Sequence, residues 1–370
     1  MSANAGPKSQ DLEEGRRPLK DSMANADSGG TAGEFGLADA AVGGDAAASS
    51  ALGNLAEPAE LGARVKLPAA ARGKIFEWAV YGATGAFIAI VAGLFIELLT
   101  NSWLSISTFG LSFLWTSEWN PVTNQFGALP FIYGTIVSSA IAILLASIAG
   151  VMAGAFLAEF SPLRLAEPLS FVIELLAAVP SVVYGLWGLF VLAPVMRDYV
   201  EPFLQHYFGF LPIFAGTIYG VGMLTAGVIL AIMIVPTVTA ISRDVMRAVP
   251  NSQREAIWAL GANRWQGFVM VVLPIARPGI FAACILALGR ALGETIATTM
   301  VIGNRPAIAA SLFAPGYTIS SVIANEFTEA TTQVYLSALI ELGLLLFIIS
   351  VIVNALARLL LWTIFRPMES

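Results

Sequence analysis

In the stretch GRALGETIATTMVIGN, residues 289 to 304, Arg290 and Glu294 stand four positions apart inside an otherwise apolar run that begins at Pro278 and continues to Ile302. A run of that length can cross the hydrocarbon of a bilayer as a helix. A lone charge near the bilayer centre costs at least about 2.5 to 3.5 kcal/mol, so such side chains must face protein or water. On an unbroken helix, a spacing of four puts both on one face, one turn apart and close enough to pair. Arginine offers a permanently charged planar fork suited to an oxyanion. A carboxylate beside it could neutralise the fork when the site is empty and accept a hydrogen bond from a protonated anion oxygen. The two residues are expected to line a substrate pathway, the alternative being an ion pair that only holds helices together.

Other chemistry is excluded by count. The single cysteine, Cys284, lies in an apolar run, and the single histidine, His206, lies in a short polar stretch, so neither a disulfide nor a His/Cys metal cluster can form. No nucleophile and base pair suggests a catalytic site, and no catalytic or metal-ligating residue is expected. The four lysines, Lys8, Lys20, Lys66 and Lys74, all precede residue 75, and none completes a phosphate-binding Gly-Lys-Ser/Thr: Lys8 follows Pro7, and Lys74 precedes Ile75. The chain is therefore expected to hold no ATP or other cofactor of its own. No nucleic-acid partner is expected either.

Hydrophobic residues make up 57% of the chain and charged ones 12%, and the mean hydropathy is +0.78, a balance from which a water-facing surface could hardly be built. An all-α integral membrane protein follows. Six stretches are long enough to span as helices, approximately 75 to 99, 131 to 158, 169 to 196, 213 to 241, 278 to 302 and 334 to 357. Pro180 and Pro236 fall within the third and fourth, as lipid-embedded helices tolerate. Arg290 is expected about twelve residues from either end of its helix, roughly 18 Å, and hence near the midplane.

Placing the N-terminus in the cytoplasm gives that side Lys66, Arg72, Lys74, Arg164, Arg243, Arg247, Arg254, Arg264, Arg277, Arg358 and Arg366, and leaves only Arg197 and Arg305 outside. Trp103, Trp115 and Trp119 then fall in the first outer loop, where an aromatic belt would lie.

Residues 1–70 are rich in Gly, Ala, Ser and acid, with Phe35 the only aromatic, and are expected to form a disordered cytoplasmic tail ahead of a membrane domain over 71–370. Deleting residues 1 to about 65 while keeping Lys66, Arg72 and Lys74 is expected to leave insertion and activity nearly intact. Loss of activity in a normally inserted deletion variant would assign the tail a function.

The loop from about 242 to 274 reads SRDVMRAVPNSQREAIWALGANRWQGFVMVVLP. Ser252 and Glu255 have the spacing of a capping box, which predicts a short helix from near Gln253. Gly261 can end it in the left-handed conformation. Asn263 can cap a second short helix leading to Leu273 and Pro274. Two short helices at a sharp bend would present Ala256, Ala259 and Leu260 as a small apolar face for a partner.

Glu255, Ala256, Gly261, Val271, Leu273 and Pro274 resemble the EAA loop of ABC importer permeases: Glu-Ala-Ala, three residues, Gly, nine residues, Ile, any residue, Leu-Pro. Here Ile257 replaces the second Ala and Val271 the Ile, both keeping apolar character. WNPVTNQFGALPFIYGT (119–135), PSVVYGLWGLFVLAP (180–194) and GRALGETIATTMVIGN are similar to the C-type permeases of phosphate-specific ABC importers.

That resemblance covers nearly everything from about residue 75 onward. It implies a type I ABC importer permease fold of six transmembrane helices in the bacterial inner membrane. It also implies a second, homologous A-type permease, two copies of an ATPase subunit that bind ATP and Mg, and an extracytoplasmic phosphate-binding protein. In that family the EAA loop, here Glu255, Ala256, Gly261, Leu273 and Pro274, couples the ATPase to the membrane helices. A permease of the same class for another oxyanion or small solute is the nearest alternative. A secondary transporter or channel would leave the loop without a purpose.

Overall fold

The computed structural model describes residues 69–364 of the chain. The expected tail over 1–70 lies almost wholly outside them, as do Lys66 and Arg366. Among the described residues five helices are long and apolar enough to cross a membrane, and a sixth crossing results if one sharply bent pair is counted as a span. Apart from short turns at Ser112–Trp115 and Pro212–Phe214, the helices are α1 (Ala69–Phe109), α2 (Leu129–Phe160), α3 (Leu163–Ala177), α4 (Ser181–Phe208), α5 (Met223–Arg247), α6 (Asn251–Ala259), α7 (Arg264–Leu292), α8 (Ile296–Val301), α9 (Ile319–Glu326) and α10 (Gln333–Ile364).

The core is built on α2 and α5, whose apolar runs carry small residues at the contact. A Cβ on Gly150 would lie 2.8 Å from the Val238 side chain, and one on Gly154 would lie 3.0 Å from the Thr239 carbonyl oxygen. Small residues let helices approach closely where lipid supplies no hydrophobic drive for association. Ala142, Ala146, Ile229, Met233, Ile234 and Val238 fill this seam, and Ala287 and Ala291 of α7 close it from one side.

At one end of the bundle, Trp119 and Phe126 pair across a short antiparallel hairpin, β1 (Trp119–Asn120) and β2 (Gln125–Phe126). They pack with Phe131, Tyr317 and Tyr335. Glu326 fixes this end by accepting hydrogen bonds from Trp119 Nε1 at 2.8 Å and Tyr335 Oη at 2.6 Å. The segment between α8 and α9 is pressed into the bundle: Gly134 is required because a Cβ there would overlap the Tyr317 carbonyl oxygen. At the opposite end, Ala155, Met246, Val249, Phe268, Val272 and Ala276 form a separate cluster beneath α6.

Three expectations about the spans are corrected. The third is not one helix, because α3 and α4 meet at 91° across 178–180. Pro180 takes extended backbone (ψ 138°) at the start of α4; a proline lacks the N–H that would continue the ladder, and it disfavours helix in the residue before it. The fifth runs from Arg264 to Leu292 and stops at Gly293, so Arg290 lies two residues from the helix end and not in its middle. The first helix continues to Phe109, so Trp103 belongs to it and not to a loop. Pro236, by contrast, is accommodated inside α5 as expected.

Candidate functional site

The loop between α5 and α7 folds as a bent helical pair. α6 begins at Asn251, with Pro250 in extended backbone at its N-cap, and Gln253 N–H donates to the Pro250 carbonyl at 3.2 Å. The expected capping box of Ser252 and Glu255 does not form. Pro250 starts the helix earlier than expected, which places Ser252 inside the first turn, where its hydroxyl cannot cap.

The other end forms as its residues demand. Gly261 has φ +85°, its N–H donates to the Trp258 carbonyl at 2.9 Å, and Ala262 N–H donates to the Ile257 carbonyl at 3.3 Å. These two bonds are the Schellman closure, which needs a left-handed residue. Asn263 then caps the next helix: its side chain accepts from Gln266 N–H at 2.9 Å while Gln266 Oε1 accepts from Asn263 N–H at 2.9 Å. The second helix is not short. It runs through a wider turn at Phe268–Val272 into the membrane helix, with Leu273 and Pro274 inside it.

Nothing on α6 is buried. Glu255, Ala256, Ala259 and Leu260 are all exposed, Leu260 by 83%, and Trp265 beyond the bend by 61%. An apolar surface on a short helix at the rim of a membrane domain can serve as a docking face.

Electrostatic ties that were not legible in the sequence hold this region. Arg254 Nη1 pairs with Glu159 Oε1 at 2.6 Å, and Arg243 on α5 pairs with Glu174 on α3 at 3.1 Å. The partners are 95 and 69 residues apart in the chain, so no local spacing could reveal them.

Arg290 and Glu294 do not pair. The helix ends between them, so the one-face rule for a spacing of four no longer applies. Glu294 Oε1 accepts from Ala297 N–H at 3.2 Å, at the start of α8, and the Glu294 carbonyl accepts from Ser320 Oγ at 2.8 Å. These two bonds tie the break to α8 and α9. Arg290 is exposed and has no hydrogen bond or ion pair among the described residues; Tyr184 of α4 lies within its electrostatic reach. Gly279 packs directly on Val245, near the end of α5, and the helix between residues 279 and 290 climbs roughly 16 Å, about half the hydrocarbon thickness.

Residues 150–361 match the family model described as "Binding-protein-dependent transport system inner membrane component". A Mesorhizobium japonicum protein named "Phosphate transport system permease protein PstC" is 47% identical over 294 residues, covering 78% of this chain and 90% of that protein. A Methanocaldococcus jannaschii protein named as a probable protein of the same kind is 36% identical over 291 residues, covering 76% and 91%. Among solved structures, a chain of the bacterial alginate ABC transporter in complex with an alginate pentasaccharide-bound periplasmic protein superposes with a TM-score of 0.54. It covers 80% of this chain and 98% of that one at 12% identity, a likeness of fold alone.

Proposed function

The chain belongs to the family of binding-protein-dependent transport system inner membrane components, and from that premise we propose that it is the permease subunit of an ATP-driven importer of inorganic phosphate. The observation that carries the substrate is the 47% identity, over nine-tenths of its length, with a relative named for phosphate transport. The chain forms half of a pore, with a second, homologous permease forming the other half. ATP and Mg are bound by two copies of a separate ATPase subunit, and an extracytoplasmic binding protein delivers phosphate. The N-terminus and the α6 bend lie on the cytoplasmic side, consistent with the excess of arginine and lysine there.

In this reading Glu255, Ala256 and the residues up to the Gly261 bend dock on the ATPase, with Leu273 and Pro274 beginning the membrane part of α7. Closure of the ATPase dimer on ATP moves α6, and the membrane helices rearrange so that the pore opens toward the loaded binding protein. Arg290, at mid-depth and without an ion-pair partner among the described residues, offers its fork to the phosphate on its way through. Glu294 supports the backbone at the break beside it.

Reconstitution with the partner subunits tests this. Uptake of radiolabelled phosphate is expected to require ATP and the copurifying ATPase, and to resist competition by sulfate and molybdate. Preferential uptake of sulfate or molybdate would assign another oxyanion, and uptake without the ATPase would assign a secondary transporter.

A further inference from the structure

Among the described residues, Arg254 is the one α6 side chain that makes hydrogen bonds, and it makes them to two other helices. Its Nη1 meets Glu159 Oε1 at 2.6 Å at the end of α2; its Nη2 donates to the Met246 carbonyl at 2.6 Å and its Nε to the Val249 carbonyl at 3.3 Å, at and just beyond the end of α5. Both charged side chains are nearly buried, Arg254 13% and Glu159 12% exposed, although α6 itself buries no residue. A rigid planar guanidinium can meet a carboxylate and two carbonyls together, and its charge suits the negative end of α5.

The two helices it joins are already locked to each other. Gly150 and Gly154 bring α2 against α5 at Val238 and Thr239, and Arg247 Nη2 donates to the Leu157 carbonyl at 3.1 Å. Displacing Arg254 therefore pulls on a single body that contains the core of the membrane domain. The rest of the attachment of α6 is softer: its Ile257 and Trp258 side chains lie against Gly267 across the bend.

We propose that Arg254 is the link that transmits displacement of α6 to the α2–α5 pair, a positioning residue for transport that sets how much substrate moves per ATP. This rests on the reading of α6 as the element that docks the ATPase. It assigns to Arg254 and Glu159 a role separate from docking, since both face inward while Glu255, Ala256 and Leu260 face out.

The test uses the complete reconstituted importer and measures ATP hydrolysis and phosphate uptake on the same preparation. Arg254→Gln is expected to copurify with the ATPase and to hydrolyse ATP at near the parent rate, while phosphate moved per ATP falls by about tenfold. Glu159→Gln, which keeps an acceptor oxygen, is expected to fall less. Arg254→Lys, a single ammonium that cannot span three acceptors, should lie between Arg254→Gln and the parent. The swap Arg254→Glu with Glu159→Arg restores opposite charges but turns a carboxylate toward the Met246 and Val249 carbonyls, and it is expected to give no rescue.

Unchanged phosphate per ATP in Arg254→Gln would overturn the proposal, as would full rescue by the swap, which would reduce the contact to a simple ion pair. A proportional fall in hydrolysis and uptake, or loss of the ATPase on purification, would show a merely structural role and overturn it as well. The parent complex separates this from the broader reading: failure of the unaltered chain to hold the ATPase removes the importer assignment itself.

Discussion

Arg290→Gln is expected to remove phosphate uptake, a fall of about 100-fold or more, while the complex still assembles and inserts. A charge at mid-depth is tolerated only against protein or water, at a cost otherwise of at least about 2.5 to 3.5 kcal/mol. Among the described residues no carboxylate meets the guanidinium, because Gly293 ends the helix and Glu294 is engaged at the start of α8. On the proposed reading the partner of Arg290 comes from the pore or from the second permease, and a planar cationic fork would serve in a phosphate pathway. Glutamine keeps much of the length and polarity but loses the charge. Glu294→Gln, by contrast, retains a side-chain oxygen that can accept from Ala297 N–H, so its effect on uptake is expected to be smaller. Full transport by Arg290→Gln, or a complex that fails to assemble, would make the arginine an inter-subunit strut.

What could be read from the sequence divides along physical lines. α2, α5 and α10 are continuous apolar runs, and hydropathy alone locates them to within several residues at most ends, less closely where α5 begins. The breaks at Pro180 and Gly293 were not legible, because the apolar character runs through both while the backbone turns. A proline in a lipid-embedded helix can be absorbed, as Pro236 is in α5, or can end a helix, as Pro180 does. Which occurs depends on whether neighbouring helices can satisfy the freed groups, a property of the packed bundle. The Arg290 and Glu294 reading failed at its pairing step for the same reason, since a spacing rule holds only while the helix does. At the α6 bend, Gly261 and Asn263 were legible because their chemistry is local: one supplies positive φ and the other an acceptor for Gln266. Ser252 was misread because Pro250, two residues earlier, fixes the start of the helix more strongly than a hydroxyl can. Arg254 and Glu159 were invisible, as long-range pairs are without a fold to bring them together.

Gly261→Val is expected to give a permease that inserts normally, binds the ATPase weakly and transports poorly. Residue 261 sits at φ +85°, where a β-branched side chain is a steric outlier, and holding it there costs about 1 to 3 kcal/mol. Nothing outside the bend relieves or adds to that cost, since no atom lies within 4 Å of where the new Cβ would stand. The strain is therefore confined to the Schellman closure, and the cheapest relief is to give up the bonds from residues 261 and 262 to the Trp258 and Ile257 carbonyls. Once they open, α6 is free to swing about the bend, and the exposed Ala256, Ala259 and Leu260 face loses its fixed angle to α7. The global stability of the membrane domain should change little, because the seam of α2 and α5 lies elsewhere, so thermal inactivation of the complex is expected near that of the parent. Gly261→Asn separates conformation from volume: asparagine adopts the left-handed region far more readily than valine and should retain most of the uptake that valine loses. Normal uptake by Gly261→Val would remove this bend from the mechanism, and equal loss in both variants would mean that the partner needs a residue without a side chain at 261 rather than the backbone angle.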